Sequence, residues 1–254
     1  PQTTNKWQNS EIEGIDIMLA IDVSTSMLAE DLKPNRLEAA KDVAAEFING
    51  RPNDNIGITL FAGETFTQCP LTVDHAVLLD MIHNIKCGLI TDGTAVGMGI
   101  ANAVTRLKDS KAKSKVIILL TDGTNNKGDI SPMTAAEIAK SFGIRVYTIG
   151  VGTNGMAPYP YPVGNTVQYV SMPVEIDEKT LTEIAGTTDG NYFRATSNSK
   201  LKEVYEEIDK LEKTKLNVKE YSKRDEEYHW FALAAFLCVL LEVLLRNSVL
   251  KKIP

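Results

Sequence analysis

From residue 14 to about residue 195 the sequence predicts an α/β fold, a doubly wound, mostly parallel sheet flanked by helices. Two observations carry this prediction. Apolar runs at 15–21, 56–61, 116–120 and 144–151, with a weaker one at 192–194, lack polar alternation, as strands buried on both faces do. Amphipathic stretches at 36–48, 95–107, 134–142 and 179–185 separate them, and a strand returning parallel to its neighbour needs such a crossover.

The elements follow in order. The first strand exits into Ile21-Asp22-Val23-Ser24-Thr25-Ser26, and the helix after it opens with Asn35 and Glu38 at capping-box spacing. His75 and His83 fall in a further helical region and are read as ordinary surface or packing residues, as is His229. Gly93-Thr94 leads into the helix at 95–107, and the next strand ends Leu120-Thr121-Asp122-Gly123. Ser131-Pro132 marks another helix start, since proline suits the first helical turn. After the strand at 144–151 comes a segment, 152–165, rich in Pro and Tyr, and then a peripheral hairpin around 166–174. Glu30 and Asp31 follow the first motif closely, and the Pro/Tyr segment is expected to emerge on the same face, either as a recognition surface or as a spacer that carries the chain into the hairpin.

The last part of the chain differs in character. Residues 200–227 are dense in charge of both signs, with Leu201, Val204, Tyr205, Ile208 and Leu211 at helical spacing. A surface helix running into a tether fits. The stretch 230–241 carries no charge, and a helix over 231–250 rises about 30 Å, the thickness of a bilayer core. Tyr228, His229 and Trp230 suit one interface, and Lys251 and Lys252 the other. Glu242 and Arg246, four apart, can neutralise each other on one face. The expected organisation is a linker at 1–13, a globular domain at 14–212, a tether at 213–228, a membrane helix at 229–250 and a basic tail at 251–254.

Composition bounds the function. The chain has 254 residues, 27 Lys and Arg against 33 Asp and Glu, and a net charge of -6, so a basic surface for gripping phosphates is absent and nucleic acid is not an expected partner. Cys69, Cys87 and Cys238 form neither a metal-ligand spacing nor an even disulfide framework. They read as packing residues, although Cys69 and Cys87 can pair in an oxidising compartment.

Ligands gather at strand C-terminal ends in this architecture, and two carboxylates, Asp22 and Asp122, stand there. Asp22, Ser24 and Ser26 alternate, so on a chain still near extended their oxygens point to one side. Thr94 adds a hydroxyl, with Thr91 a nearby competitor. Such hard oxygen donors, without sulfur or imidazole, suit Mg2+ or Mn2+ and leave a position for an outside donor.

On these residues the chain resembles the von Willebrand factor A domains, whose metal-ion-dependent adhesion site uses Asp-x-Ser-x-Ser, a loop Thr and a loop Asp. The resemblance implies metal roles for Asp22, Ser24, Ser26, Thr94 and Asp122, with a protein ligand donating a carboxylate. Thr94 is preferred over Thr91 because the family's Gly-Thr directly precedes a helix. Longer strings resemble the Bat-type aerotolerance proteins, the BatA-like branch in particular. They include Ser26-Met27-Leu28-Ala29-Glu30-Asp31, Pro34-Asn35-Arg36-Leu37, Gln68-Cys69-Pro70-Leu71-Thr72 and Tyr147-Thr148-Ile149-Gly150-Val151-Gly152. That family has upstream membrane helices followed by a Pro-Gln pair, and this chain opens Pro1-Gln2, which implies an N-terminally truncated member. It also implies partners among other Bat-family membrane proteins, a MoxR-type ATPase, and a part in oxidative-stress tolerance or envelope protein assembly.

The implied location is a bacterial inner membrane with the domain on the periplasmic side. The basic residues before the span, Lys213, Lys215, Lys219, Lys223 and Arg224, argue for the opposite orientation. The function expected is a metal-dependent binding module and not an enzyme. The alternative is a Mg2+-dependent phosphohydrolase or phosphotransferase using Asp22 and Asp122. Against it, Ser24 stands where a haloacid-dehalogenase-like enzyme wants a second Asp, and neither a phosphate loop nor a nucleophile elbow occurs.

Overall fold

The computed structural model describes residues 14–164 and 166–221, together with positions 232, 233, 236, 237, 239, 242 and 243. A 6-stranded sheet runs in the order β3-β2-β1-β4-β5-β8. Its strands are β1 (Asp16–Asp22), β2 (Asn55–Phe61), β3 (Thr65–Thr72), β4 (Lys115–Thr121), β5 (Arg145–Val151) and β8 (Tyr192–Ala195). All neighbours are parallel except β2 and β3. A second, two-stranded sheet is the antiparallel hairpin β6 (Met156–Val163) and β7 (Thr166–Pro173).

β1 is buried at every position because β2 and β4 flank it and helices cover both faces, which is why its sequence is apolar without alternation. The helices are α1 (Arg36–Asn49), α2 (His75–His83), α3 (Val96–Leu107), α4 (Pro132–Ser141), α5 (Glu178–Thr187) and α6 (Asn198–Tyr221). One core cluster joins Met18, Ala20 and Phe61 to Ile100 and Ala103 of α3, Ala135 and Ala139 of α4 and Leu181 of α5. Asn35 caps α1 by accepting from the Glu38 N–H at 2.8 Å. Glu38 then pairs with Lys41 at 2.9 Å. Ser131 caps α4 with Pro132 in the first turn.

Helix α3 meets the backbone before α4 at close range: a Cβ on Gly97 would stand 2.1 Å from the Ile130 carbonyl oxygen. Helix α6 docks through Leu201, Val204, Tyr205 and Ile208, all buried. Tyr205 packs tilted against Phe47 of α1, with ring centroids 4.9 Å apart. Near the end of this stripe Glu212, itself buried, accepts from Tyr147 at 2.5 Å and Ser114 at 2.8 Å and pairs with Arg145. The charged helix is thus tied to the domain by its apolar stripe and one buried acid.

The structure adds to the sequence reading in three places. The Pro/Tyr segment is strand β6 of the hairpin and no loop. The edge strand β3 was not legible, because its mixed burial and Pro70 give neither an apolar run nor clean alternation. Cys69 and Cys87 are free thiols. The linker at 1–13, most of the tether, the basic tail and all but seven positions of the expected span at 229–250 lie outside the described residues. Among the described residues no helix is long and apolar enough to cross a membrane. The described positions from 232 to 243 are helical, with Leu233, Phe236, Leu237, Val239 and Val243 exposed.

Candidate metal centre

The register pairs Ile21 of β1 with Leu120 of β4, so Asp22 and Asp122 leave the sheet at the same edge. Asp22, Ser24, Thr94 and Asp122 are buried, and Ser26 is half-buried. Ser24 and Ser26 stand with their hydroxyl oxygens 3.0 Å apart, and Ser26 donates to Asp122 Oδ1 at 2.7 Å. Asp22 accepts from the Ser24 N–H at 2.9 Å and from the Thr121 hydroxyl at 2.6 Å. Thr94 lies beside the second acid: a Cβ on Gly123 would be 3.3 Å from its hydroxyl oxygen. Asn126 fixes Thr94 by accepting from its N–H at 2.9 Å and donating back to its carbonyl at 3.0 Å. Thr91, the competitor, turns its hydroxyl toward Glu64 at 3.4 Å.

The serines converge by a different route from the one expected. Ser24 is extended, but a single 3-10 turn, Thr25–Leu28, follows it. Ser26 reaches Asp122 from within that turn, not by strand alternation. The Cys87 thiol donates to the Ser24 carbonyl at 3.4 Å, and Asp92 accepts from the Thr25 N–H and hydroxyl at 3.0 and 2.8 Å.

Sequence reasoning missed the cation next to these acids. Arg36, in the first turn of α1, donates from Nη1 to Asp122 Oδ2 at 2.7 Å and from Nε and Nη2 to the two oxygens of Asp31, each at 2.7 Å. Asp31 in turn accepts from the Thr153 N–H at 2.8 Å and its hydroxyl at 3.1 Å. Gly152 is needed here, because a Cβ on it would be 2.8 Å from Arg36 Nη2. A signal was present: an arginine in a helix's first turn opposes the helix dipole, and burying it demands acidic partners.

Burial and the facing Asp122 push the Asp22 carboxyl from 3.8 to about 7. Burial also raises Asp122, with Arg36 opposing the rise. Asp31 moves the other way, because hydrogen bonds from Arg36 and Thr153 outweigh its burial. Two buried carboxylates next to three hydroxyls form a site that a hard cation would relieve of its electrostatic cost. Among the described residues no group of three or more His, Cys, Asp or Glu gathers to hold a metal, so a cation here draws on hydroxyls as much as on acids.

The hairpin closes over the loop after β1. The Glu30 N–H donates to the Pro158 carbonyl at 2.8 Å, and Tyr169 donates to Glu30 at 3.0 Å.

Residues 16–207 match the profile of the von Willebrand factor type A domain. A protein of Borreliella burgdorferi is 28% identical over 255 residues, covering 100% of this chain and 75% of its own length. A UPF0353 protein of Mycolicibacterium paratuberculosis is 32% identical over 74% of this chain, which spans 58% of that relative. Among solved structures, BatB from Bacteroides thetaiotaomicron is 34% identical with a TM-score of 0.69, covering 79% of this chain and 100% of its own. An aerotolerance-related membrane protein from Bacteroides fragilis gives 34%, 0.67, 78% and 100%. Proximal thread matrix protein 1 from the mussel byssus, with a zinc-occupied metal-ion-dependent adhesion site, is 25% identical with a TM-score of 0.61 over 78% of this chain and 45% of its own.

Proposed function

Because the chain belongs to the von Willebrand factor type A domain family, we propose that it is a membrane-anchored module that binds a protein partner through a divalent cation. One observation carries this reading: the Ser24 hydroxyl meets that of Ser26, Ser26 reaches Asp122, and Thr94 lies beside Gly123, next to that acid. Ser24, Ser26 and Thr94 would hold the cation directly or through water, while Asp22 and Asp122 supply charge. Mg2+ is the preferred ion and Mn2+ fits the same donors. When bound, the cation supplies a Lewis-acidic position for a partner's carboxylate. The zinc-occupied site of the mussel protein supports a divalent ion at this place in the fold.

The domain is read as a binding module and not an enzyme. Asp22, the natural nucleophile of the alternative phosphoryl-transfer reading, is fully buried with both oxygens engaged. The likeness to BatB and to an aerotolerance-related membrane protein supports assembly with other Bat-family membrane proteins. A MoxR-type ATPase and a part in oxidative-stress tolerance or envelope protein assembly extend that reading. The exposed apolar side chains between 233 and 243 support a C-terminal anchor in the inner membrane, with the domain on the periplasmic side. Affinity capture from solubilised membranes tests the proposal. Partners retained in Mg2+ should be released by chelator and absent with Asp22→Ala. Capture indifferent to both contradicts it.

A further inference from the structure

Beside Ser26 lies a cavity of about 270 Å3. Thr25, Ser26 and Arg36 line one side, and Tyr159, Tyr161 and Met172 of the hairpin line the other. The period of two along β6 builds the second wall: Ala157, Tyr159 and Tyr161 share the face toward Ser26, and Pro158 and Pro160 take the opposite one. Met172 joins them because its register partner is Ala157. The wall is fixed in place. Pro158 accepts from Glu30 at 2.8 Å, Thr153 at the root of the hairpin donates to Asp31 at 2.8 Å, and Asp31 is clamped to Arg36.

We infer that this cavity is a second subsite of the same interface, taking an apolar side chain from the extended partner segment whose carboxylate reaches the cation. The inference rests on reading Asp22, Ser24, Ser26, Thr94 and Asp122 as a metal site. Three observations carry it further. Ser26 belongs both to the cavity wall and to the metal centre, so one short segment can fill both. The volume falls just below the range of about 300–1,000 Å3 usual for small-molecule sites, which suits a side chain better than a whole metabolite. The lining is mostly apolar, and Tyr161 and Met172 remain 58% and 48% exposed, a patch that a partner covers with gain. On a chain of net charge -6 an acidic partner gains no general attraction. The acid therefore anchors at the cation, and its neighbours must contribute by apolar burial.

The full chain is the bait for a displayed random peptide library in Mg2+. Enriched peptides should carry Asp or Glu with Leu, Phe, Tyr or Trp close by, and chelator should release them. Tyr161→Ser and Met172→Glu should each weaken an enriched peptide by about tenfold, while calorimetry with Mg2+ alone gives the parent's titration for both variants. Acidic peptides without an apolar neighbour, no Mg2+-dependent enrichment, or affinities unmoved by both substitutions overturn the subsite and leave the metal reading standing. A parent chain that takes up no Mg2+ in the same calorimetry overturns both.

Discussion

Arg36 is the residue on which the electrostatics of the site turn. It lies 4% exposed between Asp31 and Asp122, each 2.7 Å away. Removing one member of a buried ion pair leaves an uncompensated charge, so Arg36→Ala should cost about 3–5 kcal/mol in chemical denaturation with chelator present. An unchanged midpoint would mean the two acids do not depend on it. Asp22 gives a pH signature. Its carboxyl sits near 7 in the folded chain against 3.8 ordinarily, so between those values the native state holds a proton that the unfolded chain has lost. The stability this provides is complete below the ordinary value and disappears as pH rises through about 7. The metal-free Tm should therefore fall from about pH 5 to about pH 8, and Asp22→Asn should flatten that profile. Asp22, Ser24, Ser26, Thr94 and Asp122 were legible because strand exits and a helix start mark them out along the chain. Arg36 and its clamp on Asp31 were not, because that network exists only once α1 has packed against the loop before β6.

At the scale of elements, the start of α3 decides where Thr94 stands. Gly97 lets α3 meet the backbone before α4, with the Ile130 oxygen 2.1 Å from where a Cβ would be. Backbone cannot rotate away as a side chain does, so Gly97→Ala should destabilise by about 1–3 kcal/mol or more and weaken Mg2+ binding by displacing Thr94. Loss of stability with Mg2+ affinity intact would show that Thr94 is placed by Asn126 alone. The central strands and their crossover helices were read from the sequence to within about two residues, because burial on both faces writes an unbroken apolar run. Elements that bury one side or neither were harder. The edge strand β3 and the 3-10 turn carry no periodic signal, and three prolines disguised β6, whose register opposite β7 is continuous from Met156 to Val163.

Across the whole molecule, the sheet brings to one edge two acids that lie 100 positions apart in the sequence, Asp22 and Asp122. If the C-terminal segment anchors the domain as proposed, the chain should stay with the membrane pellet after alkaline carbonate extraction. Release into the supernatant would remove the anchor from the account. The central claim is narrower: five oxygen-bearing side chains hold one hard cation. Its most direct test is a crystal of the chain soaked in Mn2+ and measured for anomalous scattering. The account predicts a single peak bounded by the hydroxyls of Ser24, Ser26 and Thr94 and the carboxylates of Asp22 and Asp122, lost in Asp22→Ala. A Mn2+-saturated crystal with no peak among those five residues would contradict it.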